Sequence, residues 1–146
     1  VSPELLAPVS TAFRQITQAE QLGDVIRVLE EVWERGFDWV WERLGAHLAI
    51  PGYLNVYVAY VEGEPASAAW IYFHEGSQFA GLWGGSTRAA YRQHGLYTAL
   101  LALRVQAARR RGVRFLTVDA SPMSAPILKK HGFVQLTTAW ACEVSV

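Results

Sequence analysis

The groups best placed to do chemistry lie between residues 84 and 112. Two consecutive glycines, Gly84 and Gly85, precede Ser86 and Thr87; then come a turn carrying Arg88, Arg92, Gln93 and His94, Gly95, and a long stretch with helical periodicity. The first turn of a helix exposes unpaired N–H groups and about half a positive charge, so it favours an acidic side chain or a bound anion. No acid stands at this start, and Arg88, Arg92 and His94 add positive charge beside the positive pole. That arrangement disfavours folding until an anion arrives, and Gly95 lets the backbone close on it.

Two further groups could serve a reaction next to such a site. Asp119 is the sole acid between Glu75 and Glu143. It could take a proton from an attacking nucleophile, or simply cap the turn that follows it. Trp33, Trp39 and Trp41, with Phe37 and Tyr53, stand among Glu30, Glu31, Glu34 and Glu42. Aromatic faces and carboxylates together could hold a cationic amine; the same residues could also be core packing and a solvated acidic face.

Charge supports a division of labour along the chain. The net charge of the 146 residues is zero, yet residues 1–75 hold eleven of the thirteen acids and residues 76–146 nine of the thirteen bases. The second half suits anions, and the first suits a cationic partner better than an anionic one. Arg104, Arg109, Arg110, Arg111 and Arg114 could suggest nucleic acid, but Arg109 to Arg111 complement the negative end of a helix, and no nucleic-acid partner is expected. A composition with 51% hydrophobic and 18% charged residues excludes a disordered chain. The longest apolar stretch, 48–61, is broken by Pro51, Gly52 and Asn55, short of the roughly 20 residues a membrane span needs. With one cysteine, Cys142, no disulfide can close within the chain, and no Cys/His cluster has metal-site spacing. A cytoplasmic, metal-free protein without a membrane partner is expected.

These groups must be positioned by elements whose periods are legible. Residues 1–10 read as irregular and 11–146 as one domain. A strand over 11–17 leads to a helix over 18–35, opened by a Thr17/Glu20 capping box and stopped by Gly36. A second helix, 38–49, starts at Asp38. Residues 54–61 and 66–74 form a hairpin about the turn 62–65, and 79–87 adds a strand whose glycines mark a bulge or a close approach. The helix over 95–111 is capped by Gly112, followed by a strand over 115–120, a helix over 124–131 and a strand-like run over 134–144 that could split near Thr138. The order is β-α-α-β-β-β-α-β-α-β, with room for one more strand.

The run Thr87-Arg88-Ala89-Ala90-Tyr91-Arg92-Gln93-His94-Gly95-Leu96-Tyr97-Thr98 resembles the central R/Q-x-x-G-x-G/A motif of the GNAT superfamily of N-acetyltransferases. Asp119-Ala120-Ser121-Pro122, with Lys130-His131-Gly132-Phe133, is similar to that family's second motif, and the element order matches its fold over nearly the whole chain. The resemblance implies an α/β (α+β) protein with a mixed, mostly antiparallel sheet of six or seven strands flanked by about four helices. It implies acetyl-CoA as donor and an amine as acceptor, the latter a small cationic molecule given the acidic first half. Gly85, Ser86 and Thr87 fall where the family's strand splays and lends backbone groups to the pantetheine arm. Arg92, Gln93, His94, Gly95, Leu96, Tyr97 and Thr98 fall at the pyrophosphate, and Ser121 at a second pantetheine contact. Trp33, Trp39 and Trp41 would line the acceptor end, and Asp119 and Ser124 are candidates for the base and acid. A homodimer is compatible with this reading.

Two positions depart from the family pattern. Tyr97 replaces the last small residue of the phosphate motif, and its phenol could approach a phosphate. Leu128 stands where many family members carry a tyrosine that protonates the leaving thiolate, and a leucine cannot donate a proton. A CoA-binding domain with a regulatory or structural role is therefore the alternative to an active enzyme.

Overall fold

Alternating β-branched and aromatic residues build a five-stranded sheet in the computed structural model, which describes residues 1–144. The strands are β1 (Phe13–Ile16), β2 (Leu54–Val61), β3 (Glu64–Phe73), β4 (Phe79–Thr87) and β5 (Phe115–Val118), and they lie in that spatial order. The first four are mutually antiparallel, and β5 runs parallel to β4. A parallel neighbour needs a crossover, which the helix α3 (Leu96–Arg110) provides. The hairpin between β2 and β3 turns on only Glu62 and Gly63, with φ of 50° and 82°. Two successive positive φ values make a tight turn whose twist matches that of the strands, so β3 starts earlier than the expected 66.

Apolar side chains cover both sheet faces. On one face, α1 (Gly23–Trp33) and α2 (Asp38–Leu48) bury Val25, Val28, Leu29, Val40 and Leu44 against Val56, Val58, Ala68 and Trp70. On the other, α3 lays Leu96, Leu100, Leu101, Val105 and Ala108 against Tyr57, Ala59, Ile71 and Leu82. Leu128 of α4 (Ala125–Lys130) joins that second core. Each fully buried leucine contributes about 1.5–3 kcal/mol. The Tyr60 hydroxyl of β2 donates to Asp24 at 2.5 Å and ties the sheet to the start of α1. Burial, and then the Asp24 carboxylate, push that phenol up to about 12.

Several expectations change. Residues 1–10 include a 3-10 turn, Pro3–Leu6, that seals Leu5 completely beneath α3. The turn is clasped by Ser2, whose N–H donates to the His131 carbonyl at 3.0 Å and whose hydroxyl meets His131 Nδ1 at 2.8 Å. The expected first helix divides into a 3-10 turn, Ala19–Gln21, and α1, because the capping partner is Gln21 rather than Glu20. Gln21 Oε1 accepts the N–H groups of Thr17 and Gln18, so the capping box is Gln18/Gln21, shifted as a whole by one residue from the expected Thr17/Glu20. Glu34, in the left-handed region at φ 51°, closes α1 two residues before Gly36. Asp38 is the first residue of α2, with Phe37 as the cap. Among the described residues no strand follows β5, so the sheet has five strands rather than six or seven. Residues 134–144 keep their alternating pattern but expose Val134, Leu136 and Trp140, since strand propensity needs a paired edge to act. Among the described residues no helix is long and apolar enough to cross a membrane.

Candidate functional site

The sheet opens where β4 outruns β5. Their parallel rungs end at Leu82 and Val118, while β4 continues to Thr87, leaving the β5-facing edge of residues 83–87 without a strand partner. A bulge marks the same place: the register passes from Trp70 opposite Trp83 to Ala68 opposite Ser86, so Gly84 and Gly85 together face Ala69. Gly84 has φ of 68°, and a Cβ there would fall inside the Trp70 ring. A Cβ on Gly85 would lie 2.8 Å from the Tyr97 ring. The two glycines are the condition for packing an indole on one side of β4 and a phenol on the other.

Eight residues beyond Gly85, the chain makes the anion-ready turn. Gln93 and Gly95 have φ of 61° and 74°, and α3 starts without any side-chain cap. Its first intrahelical bond runs from the Ala99 N–H to the Gly95 carbonyl, so the N–H groups of Leu96, Tyr97 and Thr98 have no partner in the helix. Around Gly95 there is open space: a Cβ there would meet nothing within 4 Å. Arg92 and His94 are exposed, with Arg92 Nε donating to the Thr87 carbonyl at 3.2 Å. An uncapped, acid-free helix start beside unpaired strand edge fits a long ligand with an anionic end and amide groups.

Not every group expected here faces that opening. Arg88 is turned away: it donates to Glu31 at 2.6 Å and to the Pro65 carbonyl at 2.8 Å, which fastens α1 to the sheet. The Tyr97 ring packs against Gly85 rather than extending towards an anion. The Thr87 hydroxyl is paired with Ser67 at 2.9 Å. Ser121 and Ser124 bond each other at 3.2 Å, and the Ser124 hydroxyl donates to the Ser121 carbonyl within the turn that leads into α4. Leu128 is buried in the α3 core, so α4 offers no proton donor at that position. Asp119 is exposed one residue beyond the last β5 rung, level with the place where β4 becomes unpaired.

The aromatic residues of the first half separate. Trp33, 53% exposed, donates its indole N–H to Ser86 Oγ at 3.1 Å and thus reaches the splayed part of β4. Trp39 is occupied by Phe37 and by the Arg43 guanidinium, 4.9 Å above its ring. Trp41 is exposed, and among the described residues no ring contact joins the three indoles. Of the nearby acids, Glu31 is taken by Arg88 and Glu30 accepts the Phe37 N–H at 3.5 Å. Trp83, half exposed on β4, was not anticipated; its place beside the double glycine was the available signal.

This geometry agrees with what comparison shows. The sequence profile of the acetyltransferase (GNAT) domain matches residues 4–120. The chain belongs to the GNAT acetyltransferase family. No curated protein sequence matches it, whereas many solved structures share its fold. The aminoglycoside acetyltransferase AAC(6')-Iy, in complex with a CoA-S-monomethyl-acetylneamine bisubstrate analogue, aligns over 93% of this chain and 99% of its own with TM-score 0.74 and 18% identity. AAC(6')-Ih from Acinetobacter baumannii aligns over 94% and 99%, with TM-score 0.72 and 16% identity. A predicted acetyltransferase from Clostridium acetobutylicum, with acetyl-CoA, aligns over 92% and 96%, with TM-score 0.72 and 20% identity.

Proposed function

We propose that the protein transfers an acetyl group from acetyl-CoA to a primary amine of a small cationic molecule, by direct transfer in a ternary complex, acting as one cytoplasmic domain in which the segment before residue 11, with Leu5, takes part. The observation that carries this reading is the continuity of the unpaired β4 edge with the uncapped start of α3. The N–H groups from Gln93 to Thr98 would hold the pyrophosphate, with Arg92 and His94 adding exposed positive charge at its rim. Gly85, Ser86 and Thr87 would offer backbone groups to the pantetheine amides, with Ser121 near the far wall. When bound, acetyl-CoA supplies an activated thioester carbonyl.

The acceptor approaches from the α1 side, where Trp33 meets Ser86 and where Glu34 and Glu42 supply negative charge; Trp39 and Trp41 stand further out. Asp119 would take the proton from the attacking amine. Ser124 is the remaining candidate for the acid, although its hydroxyl serves the turn into α4. No acid is essential: an ordinary thiol has a pKa of about 8.5, so a thiolate leaves tolerably near neutral pH. Support for an amine acceptor comes from the aminoglycoside enzymes that share the fold.

The buried Leu128 favours one other reading, a domain that binds CoA for regulation with little catalysis. Two measurements decide. Acetyl-CoA at 100 times its dissociation constant should add about 2.7 kcal/mol of stability; no shift in melting temperature at millimolar concentration would sink both readings. Release of CoA thiol with sisomicin, neamine, spermidine or amino acids would establish transfer, and binding without release on all of them would favour the regulatory reading.

A further inference from the structure

Arg104 is 2% exposed, the largest fully buried side chain in the protein. It lies two helical turns beyond Tyr97 on the core-facing side of α3, beneath the bulge of β3 and β4. Nε donates to the Leu100 carbonyl of its own helix at 3.0 Å. Nη1 is shared between the Trp70 carbonyl of β3 at 3.5 Å and the Trp83 carbonyl of β4 at 3.4 Å. Nη2 has no hydrogen-bond partner among the described residues, while the Tyr97 phenol lies near enough to the guanidinium to favour its charge. No carboxylate pairs with this cation among the described residues. Burial pulls the guanidinium down to about 10, with the Tyr97 and Tyr57 phenols opposing, so it stays charged at neutral pH.

A charge held this way costs stability. Burying an ion without a counter-ion costs several kcal/mol, and an apolar side chain of similar volume at such a site is often neutral or stabilising. Arg104 sits on a stripe where Leu100 and Ala107 already pack, so a methionine would fill the position. What the arginine does that methionine could not is grip two carbonyls from opposite strands at the one place where their register breaks. Trp70 and Trp83 stand directly opposite each other in the β3–β4 ladder, and with Nη1 within reach of both carbonyls the Trp83 carbonyl is turned towards β3. The C=O and N–H of a trans peptide point in opposite directions, so the N–H of Gly84 lies on the other side, towards the gap where β5 has ended.

We propose that Arg104 is a positioning residue for acetyl transfer: from beneath the bulge it fixes and polarises the Trp83–Gly84 peptide, so that the Gly84 N–H is presented to the thioester carbonyl. This rests on the reading that β4 and β5 open around acetyl-CoA. A backbone donor aimed at the oxygen where charge develops stabilises the transition state, and a fixed cation behind the same peptide strengthens its dipole without entering the site. The Tyr97 phenol, which packs on Gly85 and lies beside the Arg104 guanidinium, joins the bulge to the start of α3.

The test uses acetyl-CoA carrying carbon-13 at the acetyl carbonyl, read by isotope-edited infrared difference spectroscopy on the wild type and on Arg104→Met. The wild type should shift the bound carbonyl below its frequency in free acetyl-CoA. Arg104→Met should bind acetyl-CoA with little change in affinity, keep or raise its urea midpoint, and lose most of that shift; kcat should fall about tenfold with an unchanged KM for acetyl-CoA. An equal carbonyl frequency in both proteins, or a variant that only loses stability, overturns the inference. Absence of acetyl-CoA binding by the wild type removes the acetyl-CoA reading and the inference with it. Should Arg104→Met fail to fold, Arg104→Lys, which keeps the charge but offers a single compact donor head, is read against the same two frequencies.

Discussion

The two halves of the candidate site are built from different materials. On the donor side, the turn from Arg92 to Thr98 and the edge from Gly84 to Thr87 offer mainly backbone groups, and the side chains that matter are absent ones, the missing Cβ atoms at positions 84, 85 and 95. On the acceptor side, α1 and α2 offer side chains: the indole of Trp33, the exposed Trp41 and the carboxylates of Glu34 and Glu42. Backbone recognition tolerates sequence change as long as φ and ψ hold, whereas side-chain recognition changes with each substitution. The fold is shared with aminoglycoside acetyltransferases at 16–18% identity, and of the two halves of the candidate site the side-chain half is the one each substitution would change.

The contrast can be broken or sharpened by substitution. The largest effect is expected from Gly95→Ile, because a β-branched residue at φ 74° is strained by about 1–3 kcal/mol even in open space and must shift the turn. The stabilisation by acetyl-CoA in a thermal melt should vanish while the protein still unfolds cooperatively. Next, Asp119→Asn should lower kcat by about 100-fold or more; an unchanged kcat would assign the base elsewhere. Trp33→Ala should raise the acceptor KM by about tenfold, on the scale of one lost aromatic anchor of 1–2 kcal/mol, and leave the acetyl-CoA melting shift intact. A lost acetyl-CoA shift would show that the two sides are not separable.

Arg92→Ala combined with His94→Ala should weaken acetyl-CoA by only about threefold to tenfold, since exposed charges are worth at most ~1 kcal/mol each. A loss comparable with that of Gly95→Ile would mean the donor side depends on side chains after all. The smallest effect concerns Tyr60. Its folded-state pKa is raised to about 12 from an ordinary 10, so the native state holds this proton where the unfolded chain loses it. Its contribution is complete below pH 10 and declines as pH rises from 10 to 12. Tyr60→Phe should therefore flatten the fall of urea stability across that window.

Legibility followed the length scale of the interaction. The period of α3, the hairpin and the glycine-rich turn rest on contacts between near neighbours; all three are present, with only the hairpin turn shorter than expected. Gln21 could not be told from Glu20 as the capping partner, because one residue of helical offset decides which side chain reaches back. Arg88 read as positive charge for an anion, but Glu31, 57 residues earlier in the chain, claims it. Arg104 read as part of a surface cluster although it shares the spacing of the Leu100 stripe; charge outweighed periodicity in that reading, and the core shows the reverse. The run 134–144 has the alternation of a strand, and alternation states a preference without supplying an edge.

The clasp between Ser2 and His131 spans 129 residues of sequence. During synthesis at roughly 5–20 residues per second, Leu5 and the segment around it wait for several seconds before α3 and then α4 emerge to receive them. Until then the slot under α3 has no occupant, and an apolar side chain stands in the open. Burial of Leu5 thus depends on α3 and α4, elements far along the sequence, so the two ends of the described chain are ordered together.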